Sequence, residues 1–164
     1  MMLLAMALLA EGYPAFNADD TREICRVKVE GEYKDVYDSI EACVDDHHVD
    51  YRRFVLLAAR GGTLLAPAFR ACVTEWTSNG KIDWGMTAFC AIAVADGKRD
   101  YDMFLEAAPN RRVRARIRGC VARWTDEETR VVDWDMVGDC AGEASEPGTT
   151  YRAEGGDVVI LTGE

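Results

Sequence analysis

The 164-residue chain holds two histidines, three serines and four prolines, and its scarcities exclude several kinds of chemistry. Ser39, Ser78 and Ser145 stand in no nucleophile-elbow pattern, so serine acyl transfer has no candidate. No glycine-rich loop follows a strand-like run, which leaves no phosphate cradle. No Cys-x-x-Cys pair occurs, and zinc sites want close ligand pairs that converge tetrahedrally; a structural zinc is not expected. Basic charge is in deficit. With 19 Lys+Arg against 29 Asp+Glu, the net charge is -10, which argues against nucleic-acid binding and against adhesion to anionic membranes.

The hydrophobic fraction of 49% is that of a globular chain, and the length allows one domain with a real core. Against this ordinary background, six cysteines stand out: Cys25, Cys43, Cys72, Cys90, Cys120 and Cys140. An even number without metal spacing points to disulfides and an oxidising compartment. Met1 to Ala10 is an unbroken apolar run, too short to span a bilayer. It resembles the apolar core of a secretory signal, with Ala10-Glu11-Gly12 as a small-x-small cleavage site, although the basic leader is missing. It reads as a signal, as a retained helix, or as part of a leader that starts further upstream. Membrane association is expected only through residues 1–10.

The cysteines fall into three pairs. Seventeen residues separate Cys25 from Cys43 and Cys72 from Cys90, and 19 separate Cys120 from Cys140; the pairs advance by 47 and then 48 residues. The flanks repeat as well. Cys72-Val73-Thr74-Glu75-Trp76-Thr77 matches Cys120-Val121-Ala122-Arg123-Trp124-Thr125, and Asp83-Trp84-Gly85-Met86 matches Asp133-Trp134-Asp135-Met136. Asp50-Tyr51-x-x-Phe54-x-x-x-Ala58 recurs as Asp100-Tyr101-x-x-Phe104-x-x-x-Ala108. A fixed period of this size marks tandem helical units. The expected fold is therefore all-α: three tandem helical hairpins of about 47 residues, each closed by one disulfide, Cys25–Cys43, Cys72–Cys90 and Cys120–Cys140. Residues 1–12 form the apolar segment, 13–145 the helical domain and 146–164 a C-terminal tail, in which Asp157–Thr162 is β-prone.

Within each unit the pattern reads helix, turn, helix and a short third helix. Leu65, Phe69, Cys72, Val73 and Trp76 share one helical face, and Val113, Ile117, Cys120, Val121 and Trp124 repeat it. Asn79-Gly80 reads as a left-handed helix stop, Asp83 as the next N-cap, and Pro67 lies near a helix start, where proline is tolerated.

Three groups carry candidate chemistry. Asp45-Asp46-His47-His48-Val49-Asp50 has metal-ligand types, but adjacent histidines diverge on a helix, so it reads as a polar inter-helix turn with Asp50 as N-cap. Arg111, Arg112, Arg114, Arg116, Arg118 and Arg123 make a basic helix in an acidic protein. They read either as a surface for an anion or acidic partner, or as a solvated face paired with Asp126, Glu127, Asp133 and Asp135. Trp76, Trp84, Trp124, Trp134 and Tyr37 read as packing around the disulfides rather than a ligand cage.

No catalytic, cofactor-binding or metal residue is singled out, and with all cysteines paired no thiol nucleophile remains. The functional expectation is an exported, non-enzymatic interaction module, an accessory or structural subunit of an extracytoplasmic assembly with a protein partner. Alternatives are a periplasmic inhibitor or immunity-type protein and a small carboxylate- or metal-dependent hydrolase. The plan also resembles the stapled helical hairpins of the mitochondrial intermembrane space, which carry two bridges per hairpin at closer cysteine spacing; that compartment is the alternative to a periplasmic or secreted location.

Overall fold

Five short polar side chains start the helices. Asn17, Ser39, Asn110 and Asp133 accept from backbone N–H groups of the following turn and open α1 (Ala18–Glu30), α2 (Ile40–Glu75), α4 (Arg111–Arg123) and α5 (Trp134–Ser145). Asp83 does the same for α3 (Trp84–Ala107), accepting from the Met86 N–H at 3.2 Å, so its expected capping role holds. A computed structural model describes residues 12–31, 36–146, 149–154 and 157–162. The expectation about residues 1–10 lies outside them. The protein is mostly helical and carries three disulfides, Cys25–Cys43, Cys72–Cys90 and Cys120–Cys140, with Cα separations of 5.7, 5.7 and 5.8 Å. No described cysteine is free.

The chain divides into two compact units, residues 1–95 and 96–164. In the first, α2 is tied to α1 by Cys43 and to α3 by Cys72. Its core is aromatic: Phe54 packs edge-on against Phe69 and Tyr13 and lies 5.6 Å from the Trp84 ring. By length and composition α2 could cross a membrane. Gly62 interrupts it, with φ 55° and ψ -152°, and Cys43, Phe54, Phe69 and Cys72 are buried in the core. Only glycine enters that backbone region without strain. Pro67 lies in the first turns after this break, as expected.

Two sequence expectations need correction here. Residues 45–50 are helical, inside α2, so Asp50 caps no new helix and the short third helix is a continuation of the second. The same continuity carries α3 through Asp100. The reason is local: neither stretch contains proline, and Cys43 and His47 fall on one buried face at i, i+4. Asn79-Gly80 ends no helix either. α2 stops at Glu75, and the two residues turn a small hairpin between β1 (Thr77–Ser78) and β2 (Lys81–Ile82). Both have positive φ, 51° and 76°, as the two-residue turn of a twisted hairpin requires.

In the second unit, α4 and α5 flank a core of Ala108, Val113, Ile117 and Ala141, with Tyr101, Phe104, Leu105 and Ala144 packed against it. The α4–α5 connection repeats the details of the α2–α3 one. Asp83 N–H donates to Trp76 O at 2.9 Å, and Asp133 N–H to Trp124 O at 2.8 Å. Thr77 and Thr125 each donate a hydroxyl to the carbonyl four residues back. Thr77 pairs with Ile82, and Thr125 with Val132. The later connection is two residues longer and takes them up in a loop where Asp126 accepts from the Glu128 and Thr129 N–H groups. The tail is an antiparallel hairpin of β3 (Thr149–Glu154) and β4 (Asp157–Thr162), paired from Thr149↔Thr162 to Glu154↔Asp157.

Candidate functional site

Helix α4 places Val113, Ile117 and Cys120 in the core and sends every arginine to solvent. Arg112, Arg116 and Arg123 line one flank, Arg111, Arg114 and Arg118 the other, by their spacing of three, four and seven. None of the six forms an ion pair among the described residues. The expected pairing with Asp126, Glu127, Asp133 and Asp135 is therefore not found. Asp126 is committed to its own loop and Asp133 to capping α5. On the first flank Gly119 opens a notch, with nothing outside its own helix turn within 4 Å of where a Cβ would sit, beside a cleft of about 270 Å³ lined by Arg116, Arg123, Glu143 and the Cys120–Cys140 bridge. Arg116 donates to the Glu146 carbonyl at 3.2 Å.

A second constellation, in the first unit, is invisible in the sequence because three elements supply it. Lys28 comes from α1, His47 and Asp50 from α2, and Asp83 from the α3 cap. Lys28 Nζ lies 2.7 Å from Asp83 Oδ2 and 3.4 Å from His47 Nε2. Asp83 Oδ1 is 3.8 Å from the same nitrogen. Lysine only donates, so Nε2 accepts, and the proton of a neutral ring sits on Nδ1. Nδ1 is buried and has no hydrogen-bond partner.

Electrostatics follow from burial. His47 is 1% exposed; desolvation, then Lys28, pushes its pKa below the ordinary value, with Asp83 and Asp46 opposing. Burial raises the Asp50 carboxyl, with Arg53 opposing and Asp46 and Asp83 adding to the rise. Tyr37 is pushed up by burial first and by Asp46, Asp50 and Asp83 after it. Lys28 and Asp83 also line a cleft of about 400 Å³, together with Ile24, Val27, Trp76 and the ion-paired Lys81; His47 and Asp50 do not.

His48 points away, exposed and stacked on Phe16 at 4.7 Å, so the two histidines diverge as expected. One ring nitrogen of His47 instead lies within 4.8 Å of both Cys25 and Cys43 sulfurs. Of the aromatic set, Trp84 and Trp134 are core residues, packed on Tyr51 and Tyr101 respectively. Trp76 is only half-buried and forms a cleft wall. No protein family, curated protein or solved structure matches the chain.

Proposed function

We propose that this protein is an exported, non-enzymatic interaction module, built from three tandem disulfide-stapled helical hairpins, that docks an acidic protein partner on the arginine face of α4. The repeat reading is supported by the shared connection chemistry at Trp76–Asp83 and Trp124–Asp133. The three disulfides suit an oxidising, extracytoplasmic compartment.

The observation that carries the reading is the set of exposed α4 arginines with no ionic partner among the described residues, in a chain of net charge -10. Arg111 and Arg112 sit in the first turn of α4, where no acidic residue offsets them and the helix dipole disfavours positive charge. Arg112 and Arg116, and Arg114 and Arg118, are like-charged pairs at i, i+4. Each arrangement weakens the helix and returns nothing to it. An acidic partner would supply the missing return, with Arg bidentate to carboxylate as the favoured contact.

The test is cross-linking in the native source, wild type against Arg112→Glu/Arg116→Glu/Arg123→Glu. The expected result is one partner whose capture falls with the charge reversal and with rising salt. Capture that is indifferent to both, or a wild-type chain with no partner at its native concentration, refutes the reading.

A second reading, a small carboxylate-dependent hydrolase, is favoured by the raised Asp50 carboxyl beside His47 and Asp83. It expects hydrolysis of an ester or glycoside panel that Asp50→Asn abolishes; no turnover across the panel removes it.

A further inference from the structure

Each disulfide has its second cysteine followed one helical turn later by a side chain on the same face. Val94 follows Cys90 and Ala144 follows Cys140, both apolar. After Cys43 the residue is His47, which is fully buried and leaves Nδ1 unsatisfied. An unpaired buried polar atom costs about 1–3 kcal/mol. An apolar residue would avoid that cost, as it does in the other two pairs. The imidazole instead meets Lys28 with one nitrogen and keeps the other without a partner.

We infer that Cys25, Cys43 and His47 form a thiolate–imidazole metal site, of the class that takes zinc, which comes into being when the Cys25–Cys43 bridge is reduced. The three ligand atoms already lie within 4.8 Å of one another, and all three residues are buried. The bridge itself masks the site, because a disulfide sulfur is a poor ligand and a thiolate a good one.

The electron count is closed by a dithiol reductant. Its thiolate attacks one sulfur of the bridge, its second thiol resolves the mixed disulfide, and it leaves as a cyclic disulfide with Cys25 and Cys43 as thiols. A divalent zinc-class ion then displaces the two thiol protons to solvent. The two thiolates neutralise the ion. His47 supplies a lone pair from Nδ1, the nitrogen with no partner, and its proton moves to Nε2; Lys28, 3.4 Å from that nitrogen, then gives up its hydrogen bond there, and the Asp83 carboxylate closes from 3.8 Å to accept the proton. A carboxylate on the far nitrogen of a ligating histidine is the usual second support of such sites. Lys28, paired to the other Asp83 oxygen at 2.7 Å, holds that carboxylate in place.

Access needs α1 to lift, since both sulfurs are fully buried. The only fully buried residues of α1 are Thr21 and Cys25, so this helix is the cheapest of the first unit to open.

The experiment is oxidative refolding of the full reduced chain with and without Zn²⁺, followed by alkylation and mass spectrometry. Without metal, all three bridges form. With metal, Cys25 and Cys43 are expected to remain thiols while Cys72–Cys90 and Cys120–Cys140 close. Replacing Zn²⁺ by Co²⁺ should give a thiolate-to-cobalt charge-transfer band at one ion per chain. His47→Ala should abolish the protection. Asp83→Asn, which keeps the capping oxygen, should weaken Co²⁺ binding by about 10-fold or more. Closure of all three bridges in the presence of metal overturns the inference. So does protection at another pair, or protection unchanged in His47→Ala.

Discussion

Gly97 offers the sharpest quantitative test of the second unit. It is a buried residue of α3, and α5 crosses it so closely that a Cβ there would lie 2.6 Å from the Trp134 carbonyl carbon and 2.8 Å from Asp135 Cα, and would overlap the Trp134 oxygen. Ordinary contact is 3.4–4 Å. Gly138 faces it in the same crossing, its own Cβ position 2.7 Å from Gly97 Cα. The obstacle is backbone, which cannot rotate aside, so Gly97→Ala must push α3 and α5 apart by about 1 Å. An extra methylene in a packed site costs about 1–3 kcal/mol, and rigid surroundings favour the upper end. Helix propensity returns about 1 kcal/mol. The net expectation is a loss of about 2 kcal/mol, or a fall in Tm of roughly 4–8 °C for a chain of this size. Gly119→Ala is the control. It is also a helical glycine, but exposed with nothing within 4 Å, so the same substitution should stabilise by about 1 kcal/mol. Urea denaturation with the bridges intact reads both. Equal or greater stability of Gly97→Ala would refute the close crossing, and so would shifts of the same sign in the two variants.

Two further outcomes are expected. Replacing Cys72 and Cys90 together by alanine should destabilise by about 3 kcal/mol, since the bridge closes a short loop; denaturation of that variant against wild type measures it, and a cost near zero would contradict its role as a staple. His47 gives the pH dependence. Its folded pKa lies below its unfolded value, so the unfolded chain takes the proton first as pH falls below about 6.5, and the His47 contribution is lost from there down to the folded pKa. The stability difference between wild type and His47→Gln should therefore be flat above pH 7 and shift against wild type on acidification; a pH-independent difference removes the buried neutral imidazole.

The disulfide pairing was legible because two kinds of periodicity agreed: a constant spacing within pairs and shared flanks such as Asp83-Trp84 and Asp133-Trp134. The helix start at Asp83 was legible because an N-cap is a local device; its counterpart Asp133 was read instead as an ion-pair partner of the arginines, although the repeated Asp-Trp flank pointed to the same cap. Asn79-Gly80 shows where local reading divides. A helix stop and a hairpin turn both need positive φ at these residues, and only the Thr77↔Ile82 pairing distinguishes them. The β-prone Thr77 before the turn was an available hint. The charged run Asp45–Asp50 looked like a turn by composition, yet its i, i+4 relation to Cys43 already put His47 on the buried face. The Lys28–His47–Asp83 set could not be read at all, because its members come from three elements far apart in the chain. The Gly97–Gly138 crossing is hidden likewise: nothing local separates a glycine that a helix tolerates from one that a neighbour requires.

Helix α1 brings the staple and the proposed chemistry together. With Thr21 and Cys25 its only fully buried residues, it gains little from apolar burial. Its attachment rests on the bridge to Cys43, on Lys28 to Asp83 at 2.7 Å, and on Glu23 to Lys81 at 2.6 Å. The ion pairs are partly solvated and contribute little by themselves. The bridge, closing a loop of 18 residues, contributes about 3 kcal/mol and is the dominant tether. Reduction removes that tether and, in the same step, creates the two thiolates that a zinc-class ion would draw back together with His47. A metal held by Cys25 on α1 and by Cys43 and His47 on α2 joins the same two helices at the same place. On the proposed chemistry the first unit has two ways to hold α1, the disulfide in an oxidising solution and metal coordination in a reducing solution that contains metal. The other two bridges, followed by Val94 and Ala144, have only the first.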